Sequence, residues 1–333
     1  MPRDSVANVG YGVVLTVALA IVLFGGRPYL TQITVWMALS IALAMSLRFM
    51  LLVGEVNLGV GAFFGIGGYG AAILFLKLGL PTALAILGGG TLAAAASIPF
   101  GLLTLRLTGH YFMLVSFALT EILRLIYTQS QWLGGNSGLV GIVPDIPGFN
   151  VVLLAIAAAI FALLLAIERS HLGRLFAAIS QNRAQVSSVG ISVANVKLLC
   201  LVVSSFTAGI AGASFAFANT VIAPGDFDFL LSVFALAYVK VGGQAHPFGT
   251  VVGTILLSML AQFMMSFGAQ DTLLYGTAIV ATMLFVPEGI VGAIWWRRPE
   301  HIFSRWMAWS AGLVGSSPST KSASRSGPVK SSD

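Results

Sequence analysis

Apolar runs long enough to cross a bilayer recur from one end of the chain to the other, and they limit every other reading. They fall near residues 9–25, 33–53, 58–76, 81–104 and 110–128, then near 150–167, 196–219, 229–242, 248–267 and 272–294. A membrane-spanning helix needs about 20 apolar residues, because inside lipid each backbone N–H and C=O must be bonded within its own segment. Only 8% of the 333 residues are charged and 57% are hydrophobic, whereas soluble domains carry about 25% charged residues. A soluble fold of this size could not hide so much apolar surface. The expectation is an all-α polytopic membrane protein of about ten transmembrane helices. Eight is the lower bound, because the runs 229–242 and 248–267 are short and flank Gly242, Gly243 and Pro247.

Charge placement orients these spans, since short loops rich in Lys and Arg stay on the cytoplasmic side. Ten of the seventeen basic residues lie in two places: Arg169, Arg174, Arg183 and Lys197 in one connection, and Arg297, Arg298, Arg305, Lys321, Arg325 and Lys330 after the last run. The connections 129–149, 220–228 and 268–271 contain Asp145, Asp226, Asp228 and Asp271 with no Lys or Arg, and read as external. Ten spans with both termini cytoplasmic satisfy this pattern. The net charge of +6 is explained by basic loops beside the membrane and requires no nucleic-acid partner. Residues 1–296 form the transmembrane domain, with a long cytoplasmic loop at 168–197. Residues 297–333 form a basic, Ser/Pro-rich cytoplasmic tail with too few apolar groups to fold alone. The first run reads as an uncleaved helix, because Gly25-Gly26-Arg27-Pro28 follows Phe24 where a small-residue cleavage site would stand. Cys200 is the only cysteine, which leaves no disulfide within the chain and no cysteine-rich metal site.

Polar and small residues concentrate in three segments. Residues 54–70 hold seven glycines, and Gly61 with Gly65 makes a small-xxx-small step, repeated at Gly249 and Gly253, that lets helix backbones approach closely. In the run 110–128, Ser116, Thr120, Arg124 and Thr128 recur every four residues and form one stripe, with Glu121 placed to pair with Arg124. Such a stripe is costly against lipid and faces a bundle interior or a water-filled path, unless the ion pair is simply structural. Ser116, Thr120, Glu121 and Arg124, together with Asn57, Gly61 and Gly65, are therefore candidates to line a translocation pathway. In the loop 168–197, Leu172, Leu175, Phe176 and Ile179 share one helical face, which predicts a short amphipathic helix on the membrane surface or in the groove of a cytoplasmic partner.

These blocks, in their order and spacing, resemble the LivM-type permeases of bacterial branched-chain amino-acid ABC importers over about residues 33–294. The resemblance rests on Gly54 to Tyr69, on Tyr111-Phe112 through Glu121-Ile122-Leu123-Arg124, and on Gly134-Gly135-Asn136-Ser137-Gly138-Leu139-Val140-Gly141-Ile142. Gly173-Arg174, Asn182, Gly190-Ile191 and Pro287-Glu288-Gly289 complete it. It implies the ABC importer permease fold in the bacterial inner membrane. It also implies a second, LivH-like permease subunit, two cytoplasmic ATPases that use ATP and magnesium, and a periplasmic substrate-binding protein. This chain itself would bind no cofactor and no metal. Gly173, Arg174, Leu175, Phe176, Ile179, Asn182 and Gly190 would then belong to the segment that couples to an ATPase. Three departures stand out: Ser180, Gln181, Arg183 and Ser187 replace acidic residues common in that segment, Ala245-His246 replaces a Gly-Ser pair, and Val60 replaces a histidine. Urea or short amides are alternative cargoes within the same family.

Three other classes of function are weaker. Gly135-Asn136-Ser137-Gly138 has the form of an intramembrane serine protease motif, with His246 nominated as its base, but Ser137 lies in a loop on the opposite side from His246. A chain that powers itself would need a phosphate-binding loop, and around Lys321-Ser322 the necessary glycine is replaced by Thr320. An ion-coupled transporter needs carboxylates within the membrane, for which Glu121 and Glu55 are the candidates.

Overall fold

The structure, a computed structural model, describes residues 28–107 and 109–265. The runs 9–25 and 272–294, the connection 268–271, and the boundary of the tail 297–333 lie outside the described residues. Where sequence predicts spans, helices stand: α1 (Pro28–Leu51), α2 (Val60–Leu76), α3 (Thr82–Thr104), α4 (His110–Gln129) and α5 (Phe149–Arg169). Next come the short helices α6 (His171–Gln181) and α7 (Arg183–Ser188), followed by α8 (Val193–Asn219), α9 (Phe229–Gly242) and α10 (Pro247–Met265). Five of these, α1, α3, α4, α5 and α8, are long and apolar enough to cross a membrane, and the pair α9 and α10, bent by 116°, passes the same test jointly. At 17 residues α2 is apolar but shorter. The protein is thus a polytopic helical membrane protein.

Side chains set where several helices begin. Ser170 accepts from the Leu172 N–H, Asn182 from Gln185, Ser192 from Asn195 and Asp228 from Leu231, each satisfying a first-turn donor that has no partner within its own helix. One departure from an all-α chain occurs among the described residues: β1 (Leu139–Val140) pairs antiparallel with β2 (Val221–Ile222), Leu139 opposite Ile222. The connections after α4 and α8 emerge at the same end of the bundle. Their backbones meet because Gly138, at φ +73°, carries no side chain to strike the Ile222 carbonyl.

The core is built around α8, which packs against α1, α2 and α3. It runs antiparallel to α1. The Trp36 indole donates to Asn219 at one end (3.1 Å), and the Cys200 thiol donates to the Phe49 carbonyl towards the other (3.4 Å). Backbone contact between α2, α3 and α8 depends on glycines beyond the pair singled out from sequence. A Cβ on Gly67 would overlap the Gly209 backbone, one on Gly89 the Gly67 carbonyl, and one on Gly212 the Phe64 carbonyl. In lipid, where no hydrophobic force drives helices together, such close approach supplies the packing energy. Gly249 and Gly253 behave as expected, seating α10 on the backbone of α9 at Gly242 and Tyr238. Gly61 and Gly65 instead accommodate side chains: Ser232 beside Gly61, and the rings of Phe227 and Tyr127 beside Gly65.

Residues 221–242 pass from the β1–β2 end of the bundle to the other end without forming one continuous helix. The 3-10 turn Pro224–Phe227 packs Phe227 against Gly65 and Gly68, the Asp228 carbonyl lies beside Gly61, and Gln244, just past α9, is bonded to Arg48. Non-helical backbone at membrane depth is tolerated where protein or a water-filled cavity covers it.

Candidate functional site

The first part of the site is the break between α1 and α2, residues 52–59. Its first residues close tight turns, from Leu52 N–H to Phe49, Val53 to Met50 and Gly54 to Leu51. Beyond Gly54, side chains hold the backbone. Leu58 donates its N–H to Ser116 Oγ (3.0 Å) and accepts at its carbonyl from Thr120 Oγ1 (3.0 Å). Gly59 donates to Asn57 Oδ1 (2.9 Å), and Gly61 donates to Ser232 Oγ (3.0 Å). Asn57, Gly61, Ser116 and Thr120, all expected on a pathway, therefore come together and are buried, and the side chains of Asn57, Ser116 and Thr120, with Ser232, satisfy the polar groups freed by the break. Among the described residues, Asn57 Nδ2 is buried with no hydrogen-bond partner.

The second part is ionic and joins residues far apart in sequence. Glu55, 1% exposed, accepts on Oε1 from Lys197 Nζ (2.6 Å) and from Arg183 (2.8 Å), and on Oε2 from the Gly109 N–H (3.0 Å). Arg48, also 1% exposed, forms a two-pronged pair with Glu168 (2.7 and 2.8 Å), and its Nε donates to the Gln244 carbonyl (3.1 Å). Buried charges persist only when paired and hydrogen-bonded in this way. Sequence counts Lys197 among loop cations; it is in fact 2% exposed, one turn inside α8, because Glu55 lies opposite it. The available signal is that Arg48 and Glu55 bracket the apolar run 49–54, just where the glycine-rich block 54–70 begins.

The third part is the connection between α5 and α8. The amphipathic helix predicted at 172–179 exists as α6, but its buried face is Gly173, Phe176 and Ile179, with Leu175 half-buried. Leu172, assigned by its spacing to that face, is 38% exposed. The face is turned toward this chain's own helices: Phe176 meets Phe49 edge to face at 5.5 Å, and a Cβ on Gly173 would overlap the Glu168 carbonyl. Arg174 is exposed and lies against His171 (2.6 Å), Asn182 caps α7, and Gly190 turns the chain into α8 with φ +85°.

Glu121 and Arg124 pair as expected, at 2.9 Å, yet stand apart from the break, on a face of α4 where their side chains are 27% and 40% exposed. Leu114, Ile122, Leu125 and Ile126 of the same helix are also exposed. Gly65 lies deeper, under Phe227 and the stacked rings of Tyr69 and Tyr127, whose centroids are 4.2 Å apart. Ser137 sits in the 3-10 turn beside β1, whereas His246 caps α10 by accepting the Phe248 N–H (3.2 Å), near the opposite end that holds Gln244 and Arg48. Serine and histidine are not brought together.

Residues 29–287 match the family described as the permease component of branched-chain amino acid transport systems. The chain belongs to this family. The match agrees with the 33–294 expected from the ordered blocks, and takes in both ion clusters, the break 52–59 and the segment α6–α7. The permease is 29% identical over 274 residues to the high-affinity branched-chain amino acid transport system permease protein LivM of Escherichia coli, covering 72% of this chain and 64% of that protein. It is 28% identical over 274 residues to LivM of Salmonella typhimurium, with the same coverage. It is 30% identical over 170 residues to BraD of Pseudomonas aeruginosa, covering 50% of this chain and 52% of that one. The permease thus spans less than two thirds of the length of these relatives. No solved structure matches it.

Proposed function

We propose that this LivM-type permease is the translocation subunit of an ATP-driven importer of branched-chain or related hydrophobic amino acids in the bacterial inner membrane. It would act with a second permease subunit, two cytoplasmic ATPases and a periplasmic binding protein. The observation that carries this reading is the Glu121–Arg124 pair, part-exposed within a membrane-spanning helix. Charge is expensive against hydrocarbon, so this face of α4 demands a polar path or a second protein subunit beside it. Both are what a subunit of a heteromeric translocator requires.

In this reading the end carrying Arg48, Arg174, Arg183 and Lys197 is cytoplasmic, and the β1–β2 end, with Asp145 and Asp226, is external. Ten spans with both termini inside require residues 221–242 and α10 each to count as a passage, together with the runs 9–25 and 272–294 outside the described residues. The exposed side of α6–α7 faces the ATPase, while its apolar side stays docked on the permease. Ion-coupled transport is disfavoured because Glu55 and Glu121, the carboxylates nominated to take a driving ion, are held by Lys197, Arg183 and Arg124.

The test is uptake of labelled leucine, isoleucine and valine by cells carrying or lacking the gene, with urea and short amides as competitors. Loss of branched-chain uptake on deletion, unaffected by urea, is expected. Uptake of urea or amides alone would move the cargo within the family. Uptake unchanged on deletion would overturn the reading.

A further inference from the structure

The chain from the end of α5 through α7 is tied by ion pairs to both interruptions of the helix bundle. Just before α6, at the end of α5, Glu168 holds Arg48, which holds the Gln244 carbonyl between α9 and α10. Further on, Arg183, the first residue of α7, holds Glu55 in the break 52–59.

The second tie is the more informative. Burial of Glu55 requires one cation and enough donors for its two oxygens, and Lys197 with the Gly109 N–H already supplies these. Arg183 adds a second cation to the same oxygen, Oε1, although its own side chain is 35% exposed and could lie in water. Its contribution is not neutralisation but a connection between α7 and the break. An independent contact supports this: Gly54, at φ +81°, faces Ser180 near the end of α6, where an added Cβ would stand 3.3 Å from the Ser180 Cβ. From Glu55 the break continues within four residues to Asn57, Leu58 and Gly59, whose backbone is held by Asn57, Ser116 and Thr120 rather than by a helix. A short non-helical piece between rigid helices is where a φ/ψ change is most readily absorbed.

We propose that the Arg183–Glu55 ion pair is the positioning contact through which displacement of the α6–α7 segment reaches the break 52–59, and so moves Asn57 and the start of α2. This rests on the reading of the chain as an ATP-driven permease. Lys197 keeps Glu55 buried and fixed, while Arg183 makes the break follow α7. Arg183→Gln then leaves the bundle folded, because the Glu55–Lys197 pair remains. ATP hydrolysis continues, but it is transmitted poorly to the pathway.

The experiment uses the complete complex in proteoliposomes loaded with ATP, measuring labelled-leucine uptake and ATP hydrolysis in the same preparation. For Arg183→Gln the expected result is hydrolysis near the wild-type rate with uptake per ATP reduced by about tenfold, within the usual range of coupling between sites. Arg183→Lys, which keeps the charge, recovers most of the ratio. A wild-type ratio in Arg183→Gln overturns the inference, and so does a parallel fall in hydrolysis and uptake, which marks a merely structural residue. A wild-type complex with no ATP-dependent uptake overturns the underlying reading instead.

Discussion

Neutralising Glu55 should unbalance the basic end of the bundle in a way that reveals how its charges are shared. In Glu55→Gln, Lys197, 2% exposed, is left buried without an anion. Removing one partner of a buried pair costs about 3–5 kcal/mol. The amide can still accept from the Gly109 N–H, and Arg183, a third exposed, can turn to water, so the lower part of that range applies. Lys197→Met should cost less, about 1.5–3 kcal/mol, the range for one hydrogen bond to a charged group, because Arg183 remains 2.8 Å from Glu55. The double variant buries neither charge, and its cost should fall below the sum of the singles by about 1–3 kcal/mol. The assay is reversible unfolding of the purified protein in mixed micelles by titration with SDS, followed by tryptophan fluorescence. Additive costs, or a Lys197→Met variant less stable than Glu55→Gln, would refute the shared-carboxylate arrangement.

Other outcomes follow from the same geometry. Gly67→Val should reduce folded yield in fluorescence-detected gel filtration, since its side chain would enter the Gly209 backbone and overpacking costs about 1–3 kcal/mol even where neighbours are flexible. Phe176→Ala should destabilise by about 3–5 kcal/mol in the same SDS titration, while Leu172→Ala, on the exposed side of α6, should change stability by less than about 0.5 kcal/mol. Cys200 is fully buried, so the wild-type protein should resist membrane-impermeant maleimide. Val221→Cys should then label from outside intact spheroplasts and Gln181→Cys only after permeabilisation; the reverse pattern would invert the orientation.

Helix positions were legible because lipid forces long apolar runs to be helical, and every predicted run within the described residues is a helix to within a few residues. The expected stripe on α4 held only in part: Ser116 and Thr120 turn inward to bond the Leu58 backbone, whereas Arg124 lies on the exposed side with Glu121. A spacing of four advances slightly more than one helical turn, so the stripe drifts around α4 from core to surface. The buried face of α6 departs from the apolar spacing at Leu172 because Gly173, which looks neutral in a pattern of apolar residues, is needed where the helix meets the Glu168 carbonyl. The ion clusters were hidden because their members are far apart in sequence: Glu55 meets Arg183 and Lys197 across 128 and 142 residues. Nothing local announces such a pairing, although a charged residue at the edge of an apolar run invites a search for its partner.

The most direct test of the central claim is uptake by proteoliposomes that contain this permease with its second permease subunit and ATPases, supplied with the binding protein. The account predicts uptake of leucine, isoleucine or valine that requires ATP and this chain, and that survives dissipation of the proton gradient. Uptake by this chain alone, driven by a proton or sodium gradient without ATP, would contradict it.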